Sequence, residues 1–269
     1  RDDLKIEVIP SDQTGTLDLD KLRATMDNDV GLIAITWVPT NGGLVNPAAE
    51  VGQIAKAHGV PYLLDACQAA GQVRIDVSEL GCDFLSATGR KFLRGPRGIG
   101  FLYVGEQWLA SLEPAMIDHF GAPWVARDRY TLREDARRFE TWENSYALRA
   151  GLRAAVDYAD RIGIDAISTR VTHLAGLART LLAEDDRVTL RDLGRTKCGI
   201  VSLSVVDRDA HDIVDRMGQA GFMIGASNPS NTRLDSERRN LSTSLRIAPH
   251  YYNTEEEIAG AVSCLRSII

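Results

Sequence analysis

The sequence makes little provision for disulfide, zinc-ribbon or membrane chemistry. Its four cysteines, Cys67, Cys82, Cys198 and Cys264, include no C-x-x-C pair, so neither a ribbon nor a dithiol redox motif is present and no metal is expected. Cys67 and Cys82 lie in apolar runs, where a thiol behaves as a small inert hydrophobe. The expected compartment is a reducing cytoplasm. No apolar run reaches the length of about 20 residues that spans a bilayer, so no membrane partner is expected. Excess positive charge is also lacking. The net charge is −6, which argues against nucleic acid or an anionic surface as partner. Arg90, Lys91, Arg94 and Arg97 do cluster, but only Phe92 interleaves with them. Internal repeats, low-complexity tracts and the hydrolase signatures G-x-S-x-G and H-E-x-x-H are absent. The glycines of 95–100 precede a strand-like run instead of following one, so the dinucleotide fingerprint fails.

What is present is an ordinary globular composition over 269 residues, 44% hydrophobic and 25% charged, enough for one large domain or two smaller ones. Strand-like runs at 5–9, 31–37, 60–65, 83–87 and 99–104 alternate with helical patterns at 18–26, capped by Asp18, and 47–58, opened by Pro47. That alternation predicts an α/β fold with a mostly parallel sheet. Regularity breaks over 105–140 and resumes as helices at 145–161 and 165–182. Strand-like 188–190, 199–205, 222–224 and 242–247, a helix near 210–220 and a helix from Thr254 follow, the last with Glu257 in capping-box position. We divide the chain into a large unit, 1–160, and a small α+β unit, 161–269. Trp142, after the irregular stretch, reads by default as a packed core residue, with shaping of a substrate pocket as the alternative.

Two residues stand out for chemistry. Asp65 ends the apolar run Tyr62-Leu63-Leu64, and Lys91 follows the small-residue turn Thr88-Gly89-Arg90 after the next strand. Carboxyl ends of parallel strands are where ligands bind. Taken singly, Asp65 reads as a helix cap and Lys91 as a solvated charge. Together, an amine and an acid on neighbouring strand ends match the needs of pyridoxal 5'-phosphate. The amine forms a Schiff base with its aldehyde, and the acid keeps its ring nitrogen protonated. Thr88 and Arg90 offer donors for the phosphate. Gln68 is placed to meet the ring hydroxyl. Asn41, in the loop Pro39-Thr40-Asn41-Gly42-Gly43, is a candidate for cofactor and substrate contact, although Asn41-Gly42 also suits a plain tight turn.

With D-A-C-Q at 65–68, A-T-G-R-K at 87–91 and G-P-R-G-I-G at 95–100, the chain resembles the class V aminotransferase family of fold-type I pyridoxal phosphate enzymes. That family includes cysteine desulfurases, C–S lyases and isopenicillin N epimerase-like proteins. The resemblance implies a large domain with a mostly parallel sheet, a smaller C-terminal domain, and a cytoplasmic homodimer acting on a small amino acid. It implies that Asp65 pairs with the pyridine nitrogen, Gln68 with the ring oxygen, Thr88 and Arg90 with phosphate, and that Lys91 carries the cofactor. In L-R-I-A-P-H-Y-Y-N-T-E-E-E, Arg246 occupies the position of the family's carboxylate-binding arginine, a bidentate task that a guanidinium suits. Arg90 stands where desulfurases commonly have histidine, and Trp142-Glu143 where many have glycine and threonine. The chain opens Arg1-Asp2-Asp3 with no methionine or signal peptide. The resemblance therefore implies a preceding portion that carries a glycine/threonine phosphate loop and the residue stacking on the ring.

Aminotransferase, C–S lyase and epimerase chemistries all begin alike, with Lys91 displaced by the substrate amine and then acting as base. The sequence leaves these open, beside a catalytically silent relative that binds a partner. Desulfurases carry a persulfide-forming cysteine before the arginine; here 225–235 holds none, which argues against persulfide relay.

Overall fold

The structure, a computed structural model, describes residues 4–269. Asp18 accepts the N–H groups of Asp20 and Lys21 and starts α1 (Leu19–Thr25). β1 (Ile33–Thr36), α2 (Ala48–His58) and β2 (Tyr62–Asp65) follow. The short α3 (Val77–Leu80), capped by Asp76, leads into β3 (Phe84–Thr88), and β4 (Gly100–Val104) closes this half. β1, β2 and β3 are parallel, with Thr36 opposite Asp65 and Asp65 opposite Ser86. β4 turns back antiparallel beside β3. The expected α/β layering is therefore present, with the ends of β1, β2 and β3 on one edge.

The stretch after β4 is mostly irregular, as expected, but holds α4 (Glu106–Leu109) and a hairpin of β5 (Trp124–Ala126) and β6 (Arg129–Tyr130). Two long helices, α5 (Tyr146–Ile162) and α6 (Ile164–Leu182), match the expected spacing. The remainder is an antiparallel sheet of β7 (Val188–Leu190), β8 (Val201–Val205), β9 (Gly225–Ser227) and β10 (Ser244–Ile247), in the order β7-β8-β10-β9. It is covered by α7 (Ala210–Gln219) and α9 (Glu255–Ile268), with the short α8 (Arg233–Arg238) beyond β9. Thr254 and Glu257 form the expected capping box of α9.

Three expectations need correcting. Residues 5–9 are not a strand: among the described residues nothing pairs with them, and Leu4, Ile6 and Val8 are exposed. Local β-propensity cannot supply a ladder partner. Residues 222–224 also fail to pair. Phe222 and Ile224 pack on the sheet's core, while the ladder is made by the small residues Gly225-Ala226-Ser227 beside β10. Trp142 is 56% exposed and not a core residue.

Two cores result. One gathers Val38, Val51, Tyr62, Leu64, Leu85 and Phe92 around the parallel sheet; the other gathers Leu203, Ile213, Met217, Leu245 and Leu265. α6 serves both, with Ile167 and Val171 in the first and Leu174, Ala178 and Leu182 in the second. Arg179 of α6 pairs with the buried Asp192 and donates to the carbonyls of Cys198 and Ile200, which holds the connecting segment down.

Candidate active site

The strand order brings Asp65 and Thr88 to the carboxyl ends of adjacent strands, β2 and β3. The backbone of 65–73 leaves β2 as successive turns, with Ala70 N–H bonded to Ala66 O and Val73 N–H to Ala69 O. Asp65 accepts the Cys67 N–H at 2.8 Å with one oxygen and has only a long contact from Thr36 Oγ1, 3.4 Å, on the other. Gln68 is 3% exposed. Its Nε2 donates to Thr40 Oγ1 at 3.0 Å, while its Oε1 is buried with no partner. A buried amide oxygen left unpaired costs about 1–3 kcal/mol, so it marks a place where a ligand donor fits.

The lysine turn closes on itself. Gly89 N–H bonds Ile99 O, Arg94 N–H bonds Lys91 O, and Gly95 N–H bonds Gly89 O. Gly71 packs against its back. A Cβ there would lie 2.4 Å from Leu93 N, and the φ of +92° already disfavours any side chain. Lys91 is half-buried and has no ion-pair partner among the described residues. Burial holds its amine below the ordinary lysine range, and the charges of Arg90 and Arg246 reinforce this against Cys67 and Asp65. A lowered amine pKa favours the neutral, nucleophilic form. Arg90 is exposed beside it and carries no side-chain hydrogen bond or ion pair among the described residues.

Arg246 lies on β10 between Ser202 of β8 and Gly225 of β9. Its guanidinium is largely buried, its Nε has no partner, and burial lowers its pKa. A buried cation without an internal anion is an anion-binding group awaiting its ligand. Asn41 behaves differently. Both ends of its amide are taken, Oδ1 by Ser227 Oγ at 2.5 Å and Nδ2 by Thr232 Oγ1 at 3.0 Å. The charges of Asp65 and Arg246 both reach Lys91, and Asn41 is committed to the 227–232 segment.

Sequence reasoning missed Cys67 as a neighbour of this site. Its backbone N–H donates to Asp65, and burial first and the neighbouring Asp65 second raise the pKa of its thiol. Thr40, the Gln68 partner, was also unmarked; neither residue type carries a positional signal by itself.

A family model described as Aminotransferase class-V matches residues 1–260. A probable cysteine desulfurase of Xylella fastidiosa (strain 9a5c) is 32% identical over 264 residues, covering 98% of this chain and 63% of the relative. One from Methanothermobacter thermautotrophicus is 29% identical, covering 94% and 64%. Among solved structures, the apo cysteine desulfurase of Thermococcus onnurineus NA1 superposes with a TM-score of 0.92 at 28% identity, covering 98% of this chain and 66% of that one. The cystine C–S lyase C-DES, solved with its product cysteine persulfide, shares the fold with a TM-score of 0.81 at 24% identity, covering 93% and 64%. The chain spans 63–64% of the length of the first two relatives.

Proposed function

The chain belongs to the aminotransferase class-V family, and from that premise we propose that it binds pyridoxal 5'-phosphate and acts as an enzyme on a small amino acid. The residues present fit the cofactor. The orphaned Gln68 Oε1 suits the ring hydroxyl, Asp65 the ring nitrogen, Thr88 and the unpaired Arg90 the phosphate, and the unpaired Lys91 the aldehyde. When bound, the cofactor supplies an electron sink for the bonds at the substrate's Cα. Lys91 holds the cofactor and then, as a neutral amine, takes the proton from Cα and returns it. Asp65 holds the proton at the ring nitrogen. Arg246 orients the substrate by its carboxylate, and the burial that leaves it without an internal partner also excludes water there. The observation that carries this reading is the half-buried, unpaired amine of Lys91 beside Asp65 and the unpaired Arg246.

In this reading residues 1–160 hold the cofactor and residues 161–269 supply the carboxylate arginine, so the substrate lies between the two units. Asn41 reaches cofactor or substrate only by releasing Ser227 or Thr232. The homodimer is supported by exposed Trp124, Val125 and Tyr130 on the β5–β6 hairpin, large apolar groups of the kind that mark interfaces. A cytoplasmic location is supported by four free cysteines. No described helix is long and apolar enough to cross a membrane.

A second reading, C–S cleavage of a cysteine-derived substrate, is supported by the relatives named cysteine desulfurase. Relay of persulfide through the protein's own thiol is not, since 225–235 holds no cysteine and burial pushes the Cys198 thiol up to about 11. The test is incubation with cysteine-type substrates and pyridoxal phosphate, without a keto acid. Pyruvate and sulfide in equal amounts establish the lyase; turnover that requires a keto acid establishes transamination. Absence of both, with no exchange of the substrate's Cα hydrogen in deuterium oxide, contradicts the enzyme reading.

A further inference from the structure

We propose that His250 is a positioning residue that fixes the spacing between Lys91 and Arg246 by clamping the lysine turn to the loop after β10. The inference rests on the roles given to Lys91 and Arg246 above. His250 lies four residues beyond Arg246, is 8% exposed, and bonds Phe92 O, the carbonyl next to Lys91, through Nε2 at 3.1 Å. A carbonyl only accepts, so Nε2 carries the hydrogen. Nδ1 accepts the Tyr251 N–H at 3.1 Å. Two backbone partners of opposite sense thus select one neutral tautomer. The ring is stacked against Phe92, centroids 5.5 Å apart and 19° between planes, and against Tyr252 at 4.6 Å and 17°.

A parallel tie reinforces the first. Arg94, three residues past Lys91, donates to Tyr251 Oη at 2.8 Å and lies over the rings of Tyr158, Tyr251 and Tyr252. Its φ of +61° is a conformation that non-glycine residues rarely keep without outside support. On the far side the clamp is anchored to a helix end. The His250 N–H donates to Asn253 Oδ1 at 2.8 Å, and Asn253 Nδ2 reaches Glu257 in the α9 capping box. Gly71 blocks retreat of the lysine turn from behind. The amine and the guanidinium must bracket one small substrate, and misplacement of about 1 Å costs on the order of 10²-fold in rate. His250 touches neither group; it sets where both are.

The test compares His250→Phe, which keeps the stacked ring and loses both hydrogen bonds, with His250→Gln, whose amide restores a donor to Phe92 O. Amide hydrogen exchange at 91–95, measured on protein without added cofactor, should quicken by about tenfold or more in His250→Phe. It should return to within about threefold of the original in His250→Gln. With cofactor and an amino acid, His250→Phe should raise KM and lower kcat together, and His250→Gln should restore both. Unchanged exchange and unchanged kinetics in His250→Phe overturn the proposal, as does a folded His250→Gln that rescues nothing. Should His250→Phe not fold, His250→Gln is set against His250→Asn, whose shorter amide falls short of Phe92 O; equal exchange at 91–95 in the two is the contradicting result. If the original protein takes up no pyridoxal phosphate, the cofactor reading fails, whereas the exchange data still decide the clamp.

Discussion

Lys91 is a cation held where burial disfavours its charge, with no ion-pair partner among the described residues to compensate. At neutral pH that arrangement weakens the cofactor-free fold. The native pKa lies below the unfolded one, so the unfolded chain binds more protons in between, and stability rises with pH across that window. Lys91→Met should therefore raise the Tm of cofactor-free protein at pH 7 by about 1–3 °C, and the gain should shrink as the pH climbs toward the lysine range. A scanning calorimetry series over pH checks this; a lowered Tm at pH 7 contradicts it. Arg246 makes the complementary case. Arg246→Lys keeps the charge and loses the planar fork. KM for amino acids should rise about 10- to 100-fold, the equivalent of about 1.5–3 kcal/mol, and KM for amines lacking the carboxylate should stay level. Steady-state kinetics on a matched pair, an amino acid and its decarboxylated amine, separate the two. Both residues were legible in the sequence because they sit in motifs of fixed order. His250 was not, because its partner Phe92 O is 158 positions away and histidine in a loop carries no local mark of burial.

Among the elements, the decisive one is the closed turn of 89–95 and the glycine behind it. Gly71→Ala would place a Cβ 2.4 Å from Leu93 N and from Phe92 C, at a φ that already disfavours a side chain. We expect a loss of about 1–3 kcal/mol in urea unfolding together with weaker hold on pyridoxal phosphate in an absorbance titration; full stability with normal binding would show that the turn has room to give. The strands β1 to β4 and the long helices were read correctly because apolar period is a local signal, as caps are at Asp18 and Thr254. The stretch at 5–9 and the shift from 222–224 to Gly225–Ser227 were misread because pairing is decided by the neighbour. β9 exists beside Arg246 of β10 although glycine, alanine and serine carry little strand propensity. The β5–β6 hairpin was likewise hidden, its two short strands separated by Arg127-Asp128.

In the molecule as a whole, α6 contributes to both cores, and the buried pair of its Arg179 with Asp192 ties it to the segment that leads into β8. Asp192→Ala leaves the Arg179 charge without its partner and should cost about 3–5 kcal/mol, measured by denaturant unfolding; a loss below about 1 kcal/mol would mean that water reaches the guanidinium. The exposed aromatic groups on the hairpin should make the protein a dimer by sedimentation, and Trp124→Asp with Tyr130→Asp should shift it toward monomer. The α/β class was legible at this scale from alternation alone. The sharing of one helix between the two cores was not, because α6 presents a continuous apolar face whichever core it meets. Everything turns on one amine, and borohydride reduction after incubation with pyridoxal phosphate, followed by peptide mapping, locates it. The cofactor should be found fixed on Lys91; fixation on Lys5, Lys21, Lys56 or Lys197 instead, or on no lysine, rules out this chemistry.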